Sequence, residues 1–560
     1  MAVKIAAYAN SDDAFIVWDP GAPMTGCTGF ALQREYMTGP KKGTTDFVNN
    51  RIDFSAPKDS ALGPVSSDKS PFRRFTWTDH EVNSGDEVRY RAIPVTSTGL
   101  NEAAASKWTP AVKLSARVDD TTSCFFNRGL VISQFVTRYL QDRKMSLSDF
   151  KKEIADGGDA ANAHEENIRA FLGGDLLKEL AALLATVKKN GSTLYAALFE
   201  LSDAQILDAL ASLGANAHVV LANGSDKSGD ENKSARAALK KAGVKVYDRM
   251  LKSKGLGHNK FAVVCDGNEA KQVWTGSTNW APTGLCTQMN NGILVDDADL
   301  AKTYKAQWDA LQAAGNDFPD DLVENNSAPR ELKIGASSTT VWFTRTSEGQ
   351  DMQALYDLIF AARDGILFLM FMPGNDGPQN AIASRLAPAS PHYDPNLLVH
   401  GVVSTLPNKG DPKQLDVQLV NRGKASPAFR LNVLQPDGIA HPFSHWAAEV
   451  TRKQFLAQVG HAIVHSKVLV IDPFGAKPIV VTGSHNFSSS ASHKNDENLM
   501  IVEGNSALAA AYALNVQAVF DHYRWRAFLG EHDDKQAPFT GDWQAGLFTD
   551  EKKRERAFWL

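Results

Sequence analysis

Two segments of this chain repeat the same residues in the same order, and this repeat constrains the fold more than any other feature. The first segment reads GHNKFAVVCDGNEAKQVWTGSTNW over residues 257–280, and the second reads VHSKVLVIDPFGAKPIVVTGSHNF over residues 464–487. Aligned without a gap, the segments pair residues that lie 207 positions apart: His258 with His465, Lys260 with Lys467, Ser277 with Ser484, and Asn279 with Asn486. A duplicated set of this kind predicts two half-sites that meet as one.

In each copy the His and the Lys are two residues apart, at the start of an apolar run that predicts a β-strand. Because side chains alternate between the two faces of a strand, residues i and i+2 share a face and can contact the same ligand. The Gly-Ser pair ends the next predicted strand, where glycine permits a tight turn and the Ser and Asn side chains can donate hydrogen bonds. Together the two copies would surround one anion with two imidazoles, two ammonium groups and two amides.

This pattern resembles the phospholipase D superfamily, whose mark is two copies of H-x-K-x-x-x-x-D, each followed by G-S-x-N. The second copy matches in full, with Asp472 at the acidic position. The first copy has Cys265 at that position, and Asp266 follows one residue later. The resemblance implies that the His and Lys contact phosphate while the Asp supports them. The exchange to Cys265 therefore concerns the local geometry of the first half more than its chemistry.

The resemblance implies displacement at phosphorus without a metal or any other cofactor. One imidazole attacks to form a phosphohistidine, and the other protonates the leaving oxygen and later activates water or an alcohol. The resemblance makes His258 the nucleophile and His465 the acid, roles that the sequence alone leaves open. Ser277 and Ser484 would bind the substrate. Charge on the phosphate oxygens would be stabilised by the lysines and amides of both copies, Lys260, Lys467, Asn279 and Asn486.

Each imidazole also needs a hydrogen-bond partner that fixes its tautomer. Glu497, which lies 32 residues after His465, occupies the place where the family often has an acidic residue, and it is the candidate. Its counterpart in the first copy is Asn290, an amide that can orient an imidazole without adding charge. If Glu497 orients only one of the two histidines, the imidazoles should differ in basicity, as a division into nucleophile and acid requires.

The chain is predicted to have three domains. Residues 1–117 contain short alternating segments separated by Gly, Pro, Ser and Asp, which predict an all-β sandwich resembling a fibronectin type III module. Residues 118–330 and 331–560 each alternate apolar strands with helical periods, which is typical of an α/β fold. The expected architecture is therefore two phospholipase D-like α/β domains packed as a pseudo-twofold dimer behind a β-sandwich. Since one chain supplies both half-sites, we expect a monomer.

The composition limits the cellular location and the binding partners that are expected. A net charge of −5 and a sequence pI of about 6.3 provide no overall basic field for nucleic acid. The four cysteines form no C-x-x-C pair, and neither a signal peptide nor a membrane span is evident, so a cytoplasmic location is expected, with export by a non-classical route left open. Arg249, Lys252 and Lys254 are predicted to form a basic approach to His258.

The favoured function is cleavage of the headgroup ester of a glycerophospholipid at a membrane surface, by hydrolysis or by transfer to an alcohol. Two alternatives remain. A nuclease of the same superfamily would use the same chemistry on nucleic acid, and the acidic net charge disfavours it modestly. A non-catalytic binding or scaffold protein would use the β-sandwich as its working part, and the intact His and Lys pairs argue against it.

Overall fold

The computed structural model describes residues 3–52, 62–129, 152–155, 168–224, 229–251, 255–374, 376–404, 433–434, 464–531 and 543–560. The chain separates into two compact units. One unit comprises residues 1–116, 510–518 and 531–560, and the other comprises residues 117–509 and 519–530. The domain boundaries placed after residues 117 and 330 from the sequence stay predictions.

The first unit begins with ten strands that form an all-β sandwich, as the sequence predicts. The sheets have the orders β1-β2-β7 and β10-β8-β3-β4, with β9 paired to β8 and a separate β5–β6 hairpin. Trp18, Phe30 and Tyr90 are fully buried in one core that both sheets share. The resemblance to fibronectin type III stays a prediction. The strands are Lys4–Ala9 (β1), Ala14–Asp19 (β2), Cys27–Tyr36 (β3), Thr45–Phe47 (β4), Asn49–Ile52 (β5), Leu62–Ser66 (β6), Thr76–Asp79 (β7), Glu87–Thr96 (β8), Gly99–Leu100 (β9) and Val112–Lys113 (β10).

The C-terminal segment of the chain belongs to this first unit. A helix spans Asp550–Trp559, and its N-terminus is capped by Thr549, whose hydroxyl accepts a hydrogen bond from the backbone N–H of Lys552. Trp559 is 1% exposed and its ring centroid lies 4.6 Å from that of Phe15 in β2. Aromatic burial therefore holds this helix against the sandwich.

The second unit opens with a mixed seven-stranded sheet in the order β11-β17-β16-β15-β12-β13-β14. Its strands are Thr122–Phe126 (β11), Thr193–Leu198 (β12), Ala217–Ala222 (β13), Lys245–Arg249 (β14), Lys260–Asp266 (β15), Glu269–Gly276 (β16) and Asn291–Val295 (β17). Its helices are Ile168–Asn190 (α1), Ala204–Ala211 (α2), Lys233–Lys241 (α3), Ala298–Ala314 (α4) and Asp320–Asn326 (α5). Asp203 and Asp297 cap α2 and α4, each accepting backbone N–H groups of the first turn.

The same unit contains a second sheet in the order β18-β19-β25-β24-β23-β20-β21-β22, which repeats the first sheet and adds β18 at one edge. Its strands are Arg330–Ile334 (β18), Ser337–Phe343 (β19), Gly365–Met370 (β20), Leu398–Val403 (β21), Val433–Leu434 (β22), Lys467–Ile471 (β23), Ile479–Gly483 (β24) and Asn498–Glu503 (β25). Its helices are Gln350–Ala361 (α6), Gln379–Leu386 (α7), Ser489–His493 (α8) and Ser506–Glu531 (α9). The two α/β halves predicted from the repeat are confirmed. No helix in the described part of the chain combines the length and apolar character that crossing a bilayer requires.

The two halves pack through contacts that a pseudo-twofold axis relates. The backbone bridge between Gly257 and Asp496 has a counterpart between Val464 and Met289. Gly257 corresponds to Val464, and Met289 corresponds to Asp496, at the same offset of 207 positions. Side-chain hydrogen bonds between the halves form an equivalent pair in the same way. Asn291 Nδ2 donates to Thr482 Oγ1 at 2.7 Å, and Thr275 Oγ1 donates to Asn498 Oδ1 at 2.7 Å. Each half therefore supplies backbone and side-chain partners to the other.

One ion pair between the halves is fully buried. Arg249, at the end of β14, donates Nε–H to one oxygen of Asp496 at 2.9 Å and Nη2–H to the other at 3.0 Å. Both side chains are 1% exposed. The remaining guanidinium nitrogen of Arg249 donates to the backbone carbonyls of Gly315 and Asp317, each at 2.6 Å. The sequence-based expectation that Arg249 forms a basic approach to His258 is therefore wrong, because its guanidinium is buried and paired with Asp496. Lys252 and Lys254 lie outside the described residues.

Loss of this ion pair should destabilise the second unit strongly. Replacing Arg249 with Leu leaves the carboxylate of Asp496 buried without a cation, which typically costs about 3–5 kcal/mol. The exposed pair Lys302–Asp299 provides the matched control, and Lys302→Ala should cost about 1 kcal/mol or less. Urea titration with a hydrogen-exchange readout on peptides from β14 and β25 measures both. Equal losses in the two variants would contradict the structural importance of the buried pair.

Candidate active site

The His and Lys of each repeat lie at the start of a central strand in their sheet. Lys260 begins β15 and Lys467 begins β23, and each histidine precedes its lysine by two residues. The apolar strand residues that follow are buried on both faces, and they anchor the pair in the core. Both histidines are 4% exposed and both lysines are 1% exposed. The four groups lie near enough for those of one half to shift the ionisation of those of the other.

Each imidazole is oriented by a residue of the opposite half. His258 Nδ1–H donates to Glu497 Oε2 at 2.8 Å, and His465 Nδ1–H donates to Asn290 Oδ1 at 2.8 Å. The backbone repeats the crossing, since the N–H of His258 donates to Asp496 O and that of His465 donates to Met289 O, each at 3.0 Å. The sequence indicated Glu497 and Asn290 as equivalent positions, and the structure shows that each serves the other half.

These hydrogen bonds fix the tautomers. An ionised carboxylate only accepts hydrogen bonds, so His258 must carry its proton on Nδ1 in this contact. The Asn290 oxygen is assigned in the same way, because the amide nitrogen of Asn290 donates to Gly284 O at 2.8 Å. In the neutral form both Nε2 atoms therefore keep a lone pair, which a nucleophile or a general base requires.

The motif serines form hydrogen bonds with the residues that orient the histidines. Ser484 Oγ donates to Glu497 Oε2 at 2.7 Å, and Ser277 Oγ donates to Asn290 Oδ1 at 2.8 Å. Both serines are fully buried. A hydroxyl has one proton to donate, and the orienting residue accepts within hydrogen-bond distance of each serine; Asn291 Oδ1 is a second acceptor for Ser277 at 3.0 Å. The structure therefore gives Ser277 and Ser484 a positioning geometry, and their substrate contact stays a prediction.

The two motif amides are placed differently. Asn279 is 4% exposed and its Nδ2 donates to Glu200 Oε2 at 2.8 Å. Asn486 is half-buried, and among the described residues its side-chain oxygen has no hydrogen-bond partner. Glu200 was missed from the sequence, because a single glutamate after an apolar strand carries no motif.

Two phenylalanines, also missed from the sequence, pack against the HxK pairs. The Phe199 ring centroid lies 4.6 Å from that of His258 and 4.8 Å from Lys260 Nζ. The Phe371 ring centroid lies 4.6 Å from that of His465 and 4.9 Å from Lys467 Nζ. Each phenylalanine directly follows the strand that pairs with the HxK strand, β12 or β20. A comparison of the two apolar runs STLYAALFE and ILFLMFM could have indicated this equivalence.

The motif acid lies at the far end of the strand from the lysine. Asp472 follows β23, and its carboxylate accepts the backbone N–H groups of Arg363, Asp364 and Gly365 at 2.7–3.2 Å. It therefore holds the turn that leads into β20 and does not join the His and Lys cluster. Its φ of 47° is one that aspartate tolerates better than most residues.

In the first half Cys265 stands at the position of the motif acid, and Asp266 makes the equivalent contact. The register between β15 and β16 shifts at Cys265, which is buried in the strand. Asp266 then accepts a hydrogen bond from Ser192 Oγ, immediately before β12, at 2.5 Å. An acidic residue thus holds the equivalent turn in both halves, and the exchange to Cys265 leaves the position of Lys260 unaffected.

Burial sets the protonation of the two histidines. Burial lowers the pKa of His258 to about 4, even though Glu497 favours the imidazolium, and Lys260 lowers it further. Burial, Lys467 and Lys260 lower the pKa of His465 well below its ordinary value. His258 has a carboxylate hydrogen-bonded to it whereas His465 has an amide, so the two imidazoles experience different fields.

Burial and the neighbouring charges also shift the pKa values of the two lysines and of Glu497. Burial lowers the pKa of Lys260 to about 7, although Glu497 and Glu200 oppose the shift. Burial and repulsion by Lys260 lower the pKa of Lys467 well below its ordinary value. Burial alone would raise the pKa of Glu497, but His258 and Lys260 outweigh burial and bring it below its ordinary value. The site thus holds an ionised Glu497 beside lysines whose lowered pKa values favour loss of their charge.

A second buried pair fixes the loop that carries Asn486. His485 Nε2–H points at Asp351 Oδ2, 2.9 Å away, and both side chains are fully buried. His485 Nδ1 accepts the backbone N–H of Phe487 at 3.0 Å, and Phe487 adopts a φ of 54°. Burial would raise the pKa of Asp351, but hydrogen bonds from His485 and Ser492 bring it down to about 2. His485 therefore holds the loop in place through Asp351 and the backbone of Phe487.

Within the described residues, no three His, Cys, Asp or Glu side chains converge in a way that could hold a metal ion. The positive groups at the site are the two lysines and, when protonated, the two histidines. A phosphate group bound there would meet Nζ and Nε2 atoms from both halves, which suits stabilisation of a phosphorane-like transition state.

The comparisons with known proteins identify both repeats. A family model described as "Cardiolipin synthase, PLD-like domain" matches residues 183–312 and 413–523, and each stretch contains one HxK pair. No curated protein matches the sequence.

Three solved structures illustrate what the chain resembles. Polyphosphate kinase from Porphyromonas gingivalis is 11% identical with a TM-score of 0.37, over 89% of this chain and 74% of that one. Phosphatidylserine synthase from Haemophilus influenzae Rd KW20 is 12% identical with a TM-score of 0.38, over 61% of this chain and 85% of that one. Nuc from Salmonella typhimurium, a phospholipase D family member, is 17% identical with a TM-score of 0.20, over 24% of this chain and 88% of that one.

Binding of an anion should draw protons into the site. The pKa of Lys260 is about 7 in the empty site, below the value of about 10.4 for lysine in an unfolded chain. Between these values the folded protein binds fewer protons than the unfolded chain, so this lysine makes stability rise with pH. A bound anion favours the charged lysine and raises its pKa. Tungstate binding at about pH 8 is therefore expected to take up about one proton or more.

Isothermal titration calorimetry in two buffers with different ionisation enthalpies measures this uptake. Lys260→Met should reduce it, because the methionine side chain keeps the length but cannot be protonated. Net proton release by the original protein, or equal uptake by both proteins, would contradict the assignment of the charge change to the lysines.

Proposed function

Because this chain is a member of the phospholipase D superfamily, whose members act on phosphodiesters, we propose that it cleaves the headgroup ester of a glycerophospholipid. The reaction is hydrolysis or transfer to an alcohol, and it passes through a phosphohistidine. The observation that carries the proposal is the crossed pair of hydrogen bonds, Glu497 to His258 and Asn290 to His465, which presents two Nε2 atoms at one buried, lysine-lined site.

In the first step Nε2 of His258 attacks phosphorus. The bond from phosphorus to the headgroup oxygen breaks, and its electron pair leaves with that oxygen. The oxygen takes a proton from Nε2 of His465, which enters this step as an imidazolium because the bound anionic phosphodiester raises its pKa and favours the charged form. The resulting phosphohistidine ring keeps its proton on Nδ1 and carries positive charge. Glu497, which accepts this Nδ1–H, stabilises that charge, whereas the neutral amide of Asn290 would not. The carboxylate partner therefore supports His258 as the nucleophile of the proposed reaction.

In the second step His465 acts as the base. Its Nε2, now without a proton, takes one from water or from an alcohol, whose oxygen attacks phosphorus and displaces Nε2 of His258. Asn290 supports this role because an amide orients the ring without holding its proton as strongly as a carboxylate would. The site then returns to its starting protonation.

The lysines and the amides stabilise the charge on phosphorus. Lys260 and Lys467 are buried beside the histidines, and a bound phosphodiester restores their positive charge. Their ammonium groups supply the positive charge for the equatorial oxygens, a role that metal ions fill in other phosphoryl-transfer sites. Asn279 and Asn486 can each donate an amide N–H to the same oxygens.

Two features favour a lipid over a polynucleotide. Met372 follows Phe371 at the edge of the site and is 48% exposed, which offers an apolar contact for a glycerolipid. Glu200 lies on the other side of the site, where its carboxylate would repel the neighbouring phosphates of a nucleic acid. We propose that the chain acts as a monomer at a phospholipid surface, since both half-sites belong to one chain.

Substitution of each histidine should distinguish their roles. With a p-nitrophenyl phosphodiester, whose leaving group needs little protonation, His465→Asn should give a burst of nitrophenolate and a phosphate adduct on the peptide that contains His258. His258→Asn should give neither. Turnover of phospholipid should fall by about a thousandfold or more in both variants, and a chelator should leave the original activity unchanged. Mass spectrometry of the acid-labile adduct identifies the modified residue.

An adduct on His465 would reverse the two roles. Full turnover in either variant would refute the two-histidine mechanism. Two controls keep folding separate from chemistry, because hydrogen exchange in β15 and β23 and tungstate binding both report on an intact site.

A paired assay decides the substrate class. Purified protein is given mixed phospholipid vesicles in one arm and single- and double-stranded nucleic acids in the other, with His258→Asn as the blank in each. Release of headgroup without cleavage of nucleic acid is expected. Cleavage of nucleic acid alone would establish the nuclease alternative, and turnover in neither arm would favour the non-catalytic alternative.

A further inference from the structure

Glu200 is a carboxylate with an incomplete environment beside an anion site. One oxygen accepts the amide N–H of Asn279 at 2.8 Å. The structure gives the other oxygen no hydrogen bond and the carboxylate no ion pair within the described part of the chain. Lys260 and Lys467 are near enough to influence it electrostatically, yet neither pairs with it. Because the side chain of Glu200 is half-buried, its second oxygen stays accessible to a cationic donor, and an ionised acceptor forms a stronger hydrogen bond than a neutral one.

Asn279 shows a second incomplete contact at the same place. Its side chain is 4% exposed, and its amide nitrogen is turned to Glu200 because a carboxylate can only accept. Its oxygen is buried and has no hydrogen-bond partner among the described residues. Glu200 and Asn279 thus present two adjacent acceptors and lack a donor, which is what a group with several N–H bonds and a positive charge would supply.

The other half of the site differs at the equivalent position. Leu198 in β12 pairs with Lys260 as Met370 in β20 pairs with Lys467, so Glu200 corresponds to Met372. Met372 is apolar and 48% exposed. The site is therefore anionic on the first-half side and apolar on the second-half side, although the His, Lys and Phe residues between them are duplicated.

A carboxylate weakens the binding of any bare phosphate, so its presence favours a substrate that brings its own positive charge. Building on the proposed phospholipase activity, we propose that Glu200 and Asn279 bind the primary ammonium of an ethanolamine-type headgroup, while the side with Met372 contacts the glycerol portion. The ammonium carries three N–H donors, enough for the open oxygen of Glu200 and for Asn279 Oδ1. A trimethylammonium headgroup has the charge without the donors, and a glycerol headgroup has donors without the charge.

Exchange of Glu200 for Gln tests the charge alone. Glutamine keeps the length and can still accept the amide N–H of Asn279. We expect the original protein to cleave phosphatidylethanolamine faster than phosphatidylcholine, and phosphatidylcholine faster than phosphatidylglycerol, when kcat/KM is measured in mixed micelles. In Glu200→Gln the ratio of kcat/KM for phosphatidylethanolamine to that for phosphatidylglycerol should fall about tenfold or more, mainly through KM, because a charge-assisted hydrogen bond is lost.

Glu231→Gln is the matched control. Glu231 is an exposed carboxylate whose negative charge acts on Glu200 and raises its pKa. Its removal takes away the same charge at a greater distance, so the headgroup ratio should change by about twofold or less. Glu200→Lys should invert the original preference and favour phosphatidylglycerol.

The outcomes separate this inference from the proposed function. Phospholipid cleavage with a headgroup ratio that Glu200→Gln leaves unchanged, or an equal loss on every headgroup, would overturn the inference alone and leave Glu200 as a support for Asn279. Equal rates on all three headgroups in the original protein would also overturn it. Cleavage of nucleic acid without cleavage of phospholipid, or no turnover of either, would overturn both proposals.

Discussion

The site depends on one reciprocal interaction, in which each half of the second unit orients the motif imidazole of the other. Glu497 accepts from His258 and Asn290 accepts from His465, both at 2.8 Å. Backbone hydrogen bonds that cross in the same way hold both histidines in place. Neither half could fix the tautomer of its own histidine in this arrangement. Packing of the halves and assembly of the site are therefore the same event.

Burial then determines how the assembled site behaves. Desolvation lowers the pKa values of both histidines and both lysines, so these groups carry less positive charge than their number indicates. Charge returns when an anion enters, which couples proton uptake to binding. The duplicated groups are also unequal, because the carboxylate of Glu497 serves only His258. A pseudo-symmetric scaffold thus holds two imidazoles with unequal hydrogen-bond partners.

Much of the fold and of the site could be predicted from the spacing of residues along each strand. The HxK pairs share a strand face because strands repeat every two residues, and the apolar runs after them placed β15 and β23 in the interior. The constant offset of the repeat predicted two equivalent α/β halves and indicated Glu497 and Asn290 as unequal counterparts. It did not show that Arg249 would be buried against Asp496, nor that Glu200 would lie beside Asn279, since neither residue stands in a motif.

The sequence by itself determined the reacting groups, their spacing along each strand and the difference between the two copies. Only the tertiary structure decided which histidine each orienting residue serves, since His258 and Glu497 are 239 positions apart and meet through packing of the halves. It also turned the motif serines toward the orienting residues and placed Asp472 at the remote end of its strand. Spacing is a property of the chain, whereas a hydrogen bond across a pseudo-twofold axis depends on how two sheets pack.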